Sequence, residues 1–501
     1  MLLLSLQAGA VDWTIVPTLE LKETFSDNVR LSDANEESDF ITQVNPGIAV
    51  TGLGPRLRFN TRYVMQNLFY AKEHGRNATN HQLNANGNVE LLSDLLFLDA
   101  KAAIRQKNIS SFGPQSADNT NITNNRTNVE TYSFSPYLLH HFRDIADAEL
   151  RYTHDAVSTS GSGSAVATGF SNSQSDRILM KLTSGDDFKI LGWGLNYSKQ
   201  RIDFDSGQTV NQVSYGGNVF YRLTPQFKLL ANGGYESNDY LSITGDSAGS
   251  FWKAGFAWTP SVRTNIEAQA GRRYFGDSYS FKANHRSRRT AWNVSYSEGV
   301  TTTRSQFLIP ATIDTAAFFD QLWTSVIPDP IVRQQVIEAF ISQNGLPDSL
   351  ADSVNFLTNR FFLQKRFQAS VSITGARNTA VLSLFDLRRE AQTAQSADSA
   401  LLGPSDLSLN NDTKQQGIHA LWTRKLSPRT NANLSLVLTK THSLTTGRED
   451  EEKTLRLGIT KELRSNVKGG VELRRKDRDS NQDNGNEYTE NAITASLRVS
   501  F

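Results

Sequence analysis

The sequence predicts an all-β fold: a transmembrane, antiparallel, up-and-down β-barrel of a bacterial outer membrane. Three observations carry that expectation. Apolar and polar side chains alternate through most of the chain, the connections alternate between short and long, and the last segment is amphipathic and ends on Phe501.

Composition agrees with this reading. Only 38% of the 501 residues are hydrophobic. No run of about 18 apolar residues occurs, which excludes a helical span. In a barrel strand only every second residue meets lipid, so a polar average is expected. A formal net charge of +1 lacks the basic footprint of a nucleic-acid-binding protein. The absence of cysteine removes disulfides, thiolate zinc sites and thiol nucleophiles together.

Along the chain, Leu2, Leu3, Leu4 and Leu6 followed by Ala8-Gly9-Ala10 resemble the end of a secretory signal, so residues 1–10 are expected to be a signal remnant. Residues 11–501 are expected to form one barrel. Trp13, Ile15, Pro17, Leu19 and Leu21 alternate with Thr14, Val16, Thr18, Glu20 and Lys22. Leu191, Trp193, Leu195 and Tyr197 alternate with Gly192, Gly194, Asn196 and Ser198; Leu455, Leu457 and Ile459 oppose Thr454, Arg456 and Thr460. Such period-two segments have one apolar and one polar face.

A soluble sandwich would alternate too, and the connections separate the two cases. Short turns fall near Gly52–Pro55, Ser93-Asp94, Phe142–Asp144, Ser184–Asp187, Thr224–Gln226, Thr259–Ser261, Arg286–Arg288, Gly375–Asn378, Ser427–Arg429 and Ser465-Asn466. Between them lie longer polar loops, among them Ser26–Asp39, Ser110–Val129, Ser158–Ser175, Gln392–Asn411 and Asp479–Glu487. Outer-membrane barrels combine short periplasmic turns with longer external loops, and this spacing predicts about 22 strands, within a range of about 16–24. The final strand, with Leu497, Val499 and Phe501 on its apolar side, resembles the signal read by the barrel assembly machinery.

Residues 306–355 break the alternation. Asp314 can cap a helix bearing Phe318, Phe319, Leu322 and Trp323, and Asp329-Pro330 can start another bearing Val336 and Phe340. By loop parity this helical insertion lies on the external side, as a plug or gate in the mouth or as a cap on the rim. These six apolar residues are the gate candidates.

If the apolar faces meet lipid, the opposite faces line the lumen. The lining candidates are Arg58, Arg62, Lys101, Arg105, Glu149, Arg151, Arg222, Lys253, Glu267, Arg273, Arg456, Glu472 and Arg474. Mixed signs suit a water-filled path without strong ion selectivity, and charges of this kind also pair across strands. Gly192, Gly194, Gly216, Gly234, Gly255 and Gly458 point inward as well, either widening the path or easing curvature.

No catalytic constellation stands out. The eight histidines have no metal-ligand spacing, and no cofactor or metal is expected. Asp479, Asn481, Asp483 and Glu490 approach a calcium-loop spacing, but Asn484 stands where that loop needs glycine.

Val16-Pro17-Thr18-Leu19, Ser26-Asp27-Asn28-Val29, Pro46-Gly47-Ile48, Leu96-Phe97-Leu98-Asp99-Ala100 and Ser135-Pro136-Tyr137 resemble the outer-membrane β-barrel family associated with exopolysaccharide operons and PEP-CTERM sorting systems. The alternating remainder extends the resemblance over essentially the whole chain. It implies export of an exopolysaccharide, with lipid, lipopolysaccharide, the barrel assembly machinery and periplasmic polysaccharide-export components as partners, and no nucleic acid. The alternatives are a diffusion porin, a scaffold sheathing a partner protein and, last, an outer-membrane lipid hydrolase.

Overall fold

A hydrocarbon solvent leaves no unpaired backbone group tolerable, so strands that cross it must close on themselves. In the computed structural model, twenty-two strands do so in one antiparallel sheet. The described residues are 11–501 apart from 117, 161–170, 244, 246, 309–318, 320–332, 334–335, 338–357, 394–407 and 483–486. The expected signal remnant and the gate candidates Phe318, Leu322, Trp323 and Phe340 lie outside them.

In chain order the strands begin with β1 (Asp12–Ser26), β2 (Asp39–Leu53), β3 (Leu57–Tyr70), β4 (Ala78–Leu92), β5 (Leu96–Asn108), β6 (Arg126–Phe142) and β7 (Ala146–Ser160). Next come β8 (Ser173–Ser184), β9 (Leu191–Phe204), β10 (Thr209–Thr224), β11 (Phe227–Asn238), β12 (Ala248–Ser261), β13 (Thr264–Arg273), β14 (Gly276–Arg286) and β15 (Thr290–Thr302). A short helix, α1 (Thr303–Leu308), leads out of β15. The set ends with β16 (Phe361–Thr374), β17 (Asn378–Ala391), β18 (Asp412–Ser427), β19 (Thr430–Ser443), β20 (Glu449–Arg464), β21 (Val467–Ser480) and β22 (Tyr488–Ser500).

Each strand pairs with its sequence neighbours, and β1 pairs with β22 from Thr18↔Ser500 to Ser26↔Ala492. The strand number and the short turns agree with the sequence reading to within a few residues. Several hairpins carry a register shift beside the short turn, as at Arg222/Thr224 and Glu462/Arg464, where a bulge adds twist to the bend.

The two faces differ as the alternation requires. Outward residues include Trp13, Leu195, Trp252 at 59% exposed and Val471 at 52%. Apolar exposure on this scale would be unusual for a soluble monomer, and it is the lipid face of a membrane barrel. The apolar band has a sharp upper edge. On β21 outward Val471 and Leu473 give way to Arg475 and Asp477, which pair at 2.9 Å. On β20 outward Leu457 and Leu455 give way to Lys453 and Glu451. Beyond that edge the strands stand clear of hydrocarbon. The barrel is therefore a protein of the bacterial outer membrane.

The three largest clusters of buried apolar residues sit inside the barrel at its long-loop end. Val29, Ile41, Leu68 and Tyr70 form one cluster, touched by Ile122. Ile109, Val129 and Val157 form another, packed by Phe307 and Leu308 of α1. Ile202, Phe204, Val210, Tyr240 and Phe361 form a third. Segments from the long loops thus fold into the mouth rather than standing above it.

Candidate functional site

Cross-strand partners share a face, so the register places the lining candidates. Arg151 opposes Tyr137, and its guanidinium lies 3.7 Å above that ring. It donates to Asp99 and to Glu149 at 2.7 Å each, spanning β5 to β7 along the inner wall. Arg58 opposes Asn88, Arg62 opposes Asn84, and Lys101 opposes Asn86. Arg105 opposes Val129, which belongs to an interior cluster. Arg222 opposes Lys228, Lys253 opposes Asn232, and Glu267 opposes Lys282. Arg273 grips Glu236 at 2.7 Å, Arg456 approaches Glu472 at 3.7 Å, and Arg474 opposes Arg456. All thirteen candidates therefore share the inner face, where Glu149, Arg151, Arg273, Arg456, Glu472 and Arg474 form ion pairs.

The inward glycines serve a different purpose from a wider path. The Phe220 ring lies directly over Gly192, and the Asn218 side chain over Gly194. Phe251 lies against Gly216 and Gly234, and Asn433 against Gly458. Gly192, Gly194 and Gly458 make room for a neighbour's side chain, while Gly216, Gly234 and Gly255 permit a close approach of backbone.

The polar loop between β5 and β6, read from sequence as external, folds into the lumen. Its described residues lie against the upper inner wall of β3, β21 and β22. Ile122 N–H donates to Val29 O at 2.8 Å. Tyr70 Oη donates to Thr120 O at 3.0 Å, and Asn119 bonds Gln66. The strongest attachment is a row of cations on alternate residues of β21. Arg474 holds Asp118 of the loop and Glu490 of β22, the latter at 2.9 Å. Lys476 donates to Gln115 O and pairs with Glu452 at 2.8 Å. Arg478 donates to Ser111 O at 3.2 Å and pairs with Asp450 at 2.6 Å. Arg448, from the β19–β20 loop, adds a bond to Phe112 O at 2.9 Å.

Glu490 also accepts from Ser26 at 2.7 Å and Asn121 at 2.6 Å, so it ties the barrel seam to the loop. Burial alone would raise the Asp118 carboxyl. Arg474 and then Arg456 outweigh it and hold the group well below the usual carboxylate range. The pin therefore stays charged through physiological pH.

A second segment enters from the other side. α1 leaves β15 and lies against β6 and β7. Arg304 is almost fully buried there, donating to Ser173 Oγ at 2.9 Å and Asp155 O at 3.0 Å. Burial pushes its guanidinium down to about 10, still charged at neutral pH. The insertion thus begins at Thr303, slightly earlier than the sequence pattern suggested. Of the gate candidates described, Phe319 is helical and fully buried, while Val336 is helical and exposed. Elsewhere in the mouth Tyr240 stacks on Phe361 with centroids 4.5 Å apart and meets the Tyr274 hydroxyl at 3.3 Å.

Sequence reasoning missed Lys476, Arg478 and the inward loop. The available signal was three cations at alternate positions of one strand, which demands compensation from elsewhere. The calcium-like spacing does not form a loop site. Asp479 pairs outward with Lys453 at 3.4 Å, whereas Glu490 is buried in the lumen; Asp483 lies outside the described residues. No cluster with metal-ligating potential occurs among the described residues. Leu497 and Val499 face lipid beside Leu21 and Leu19, and Phe501 N–H donates to Pro17 O at 3.0 Å across the seam.

Fold and wall define the class: an outer-membrane β-barrel with a polar lumen. No protein-family model and no curated protein sequence matches the chain. Among solved structures it is similar to the siderophore receptor PirA from Acinetobacter baumannii, at 6% identity over 97% of this chain and 80% of that one, with a TM-score of 0.49. The FrpB iron transporter from Neisseria meningitidis gives 9% identity over 97% and 81%, with a TM-score of 0.48. OccK8 (OprE) from Pseudomonas aeruginosa gives 8% identity over 98% of each chain, with a TM-score of 0.33. These are likenesses of barrel shape at single-digit identity, and no substrate follows from them.

Proposed function

We propose that this barrel is a channel through which a polysaccharide made in the cell leaves across the outer membrane, narrowed by the inward loop and by the helical insertion acting as a gate. The observation that carries the reading is a polar wall lying below a mouth occupied by folded-in segments. A wide barrel left open would breach the membrane's barrier, and barrels of this size commonly have an occupied lumen. Uncharged amides recur along the wall: Asn60 opposes Asn86, Asn218 opposes Asn232, and Asn232 donates to Gln269 at 3.0 Å. Amides offer both donors and acceptors, which suits a hydroxyl-rich chain in water. The family resemblance supports the same solute. On this reading the partners are lipopolysaccharide around the wall, the barrel assembly machinery and periplasmic export components, and the protein is not an enzyme.

The test joins conductance to secretion. Purified barrel with and without residues 306–355 should conduct, the trimmed form more. Cells lacking the protein should retain their polysaccharide in the periplasm. Two silent forms, or unchanged secretion, would defeat the proposal.

A further inference from the structure

The wall charges are mixed in sign and many of them pair, but one arc of the periplasmic rim is basic and unpaired. Five consecutive short turns, from β12–β13 round to β20–β21, present Arg263, Arg288, Arg289, Arg377, Arg429 and Arg464. All six are exposed, and none takes part in an ion pair among the described residues. Residues 262–263, 287–289, 375–377, 428–429 and 465–466, which make these turns, include no acid. The turns of the opposite arc, β4 to β9, carry Asp94, Asp144, Asp186 and Asp187 against Arg143 and Lys189. The two arcs lie nearly across the opening from one another in the strand order.

We propose that the basic arc is the periplasmic intake site for a polyanionic chain, a polysaccharide bearing carboxylate, phosphate or sulfate groups. This rests on the channel reading above and adds the charge of the solute and the side on which it is received. Strands lie about 4.8 Å apart, so successive hairpins are separated by about 10 Å. That is close to the Debye length of about 8 Å at physiological salt, so neighbouring turns act as one field. A charged mouth with low-dielectric walls concentrates ions of opposite sign and speeds their capture.

The segregation of sign selects the occupant. A leaflet of anionic lipid surrounds every turn equally and would be repelled along the acidic arc. A globular acidic protein broad enough to cover the mouth would meet that arc too. A narrow chain seats on the basic arc alone and is held off the acidic one, which directs it into the opening.

The experiment measures current block of the full-length barrel in a bilayer of zwitterionic lipid. The probes are short dextran sulfate and neutral dextran of equal length, added to either side. Dextran sulfate should block far faster from the turn side than from the loop side, and faster than neutral dextran. Replacing Arg288→Gln, Arg289→Gln, Arg377→Gln and Arg429→Gln together should lower that block rate at least about tenfold at low salt, and the difference should vanish in molar salt. These are exposed turn residues, so open-channel conductance should be retained and serves as the folding control. A conducting barrel whose block is unaffected by the substitutions, or equal from both sides, overturns the intake site alone. So does a variant that loses binding to anionic vesicles while its block is unchanged. If the wild-type barrel and the form lacking residues 306–355 are both silent, the channel reading falls, and the intake site with it; if only the trimmed form conducts, the same block measurements are made on it.

Discussion

Replacing residues 110–124 with a short Gly-Ser linker should raise single-channel conductance several-fold and shift the current toward anions. The loop lies against the inner wall of β3, β21 and β22, so its removal restores cross-section in the mouth. It also uncovers Arg448, Arg474, Lys476 and Arg478, whose loop partners Phe112 O, Asp118, Gln115 O and Ser111 O would be gone. Those cations would then face water with less acid nearby, and a row of one sign selects the opposite ion. The barrel itself should persist, because its backbone hydrogen bonds run strand to strand and owe nothing to the loop. Conductance and reversal potential in a salt gradient read both effects. Unchanged conductance would mean that the loop is not the constriction.

The second large effect is expected from Arg474→Ala. Arg474 is 1% exposed and its partner Glu490 is 0% exposed. Removing one member of a buried pair leaves an uncompensated charge, at a cost of about 3–5 kcal/mol. Most of that cost should be relieved locally, by release of the loop and hydration of Glu490, since the sheet is closed on both sides of the site. The expected readout is rapid amide exchange and protease cleavage within residues 110–124, with a noisier open channel. Adding Glu490→Gln should recover part of the loss, because the orphan charge is then gone. Arg474→Lys should not substitute well, as one ammonium cannot span both carboxylates as a planar guanidinium does. A loop as protected in Arg474→Ala as in wild type would contradict the proposed pin.

The barrel was legible in the sequence because lipid acts on every second residue independently of context. Leu195 and Tyr197 must be apolar whatever lies across the lumen, and the ten short turns need only a few residues to reverse a strand. The interior was legible as a face but not as an arrangement. Arg151, Asp99 and Glu149 could be assigned inward, while their mutual contacts depend on register between strands. The loop at 110–124 was opaque for a further reason. Its Ser, Asn, Thr and Gln residues suit an external loop equally well, and Glu490 and Arg474, which hold it, stand more than 340 residues away in sequence. The glycines were ambiguous because what lies over Gly192 is Phe220 of the next strand, a relation no single-strand pattern encodes.

The chain has no cysteine, so single cysteines can report each position in turn. Leu195→Cys, Asn196→Cys, Tyr197→Cys and Ser198→Cys on β9, with Asn218→Cys and Val219→Cys on β10, would be probed in membranes with a charged, water-soluble thiol reagent. Modification should alternate: positions 196, 198 and 218 react through the aqueous lumen, while 195, 197 and 219 are silent and instead quench against lipid-dissolved probes. Uniform labelling, or reaction at 195, 197 and 219 with protection of the others, would contradict a barrel with lipid outside and water within.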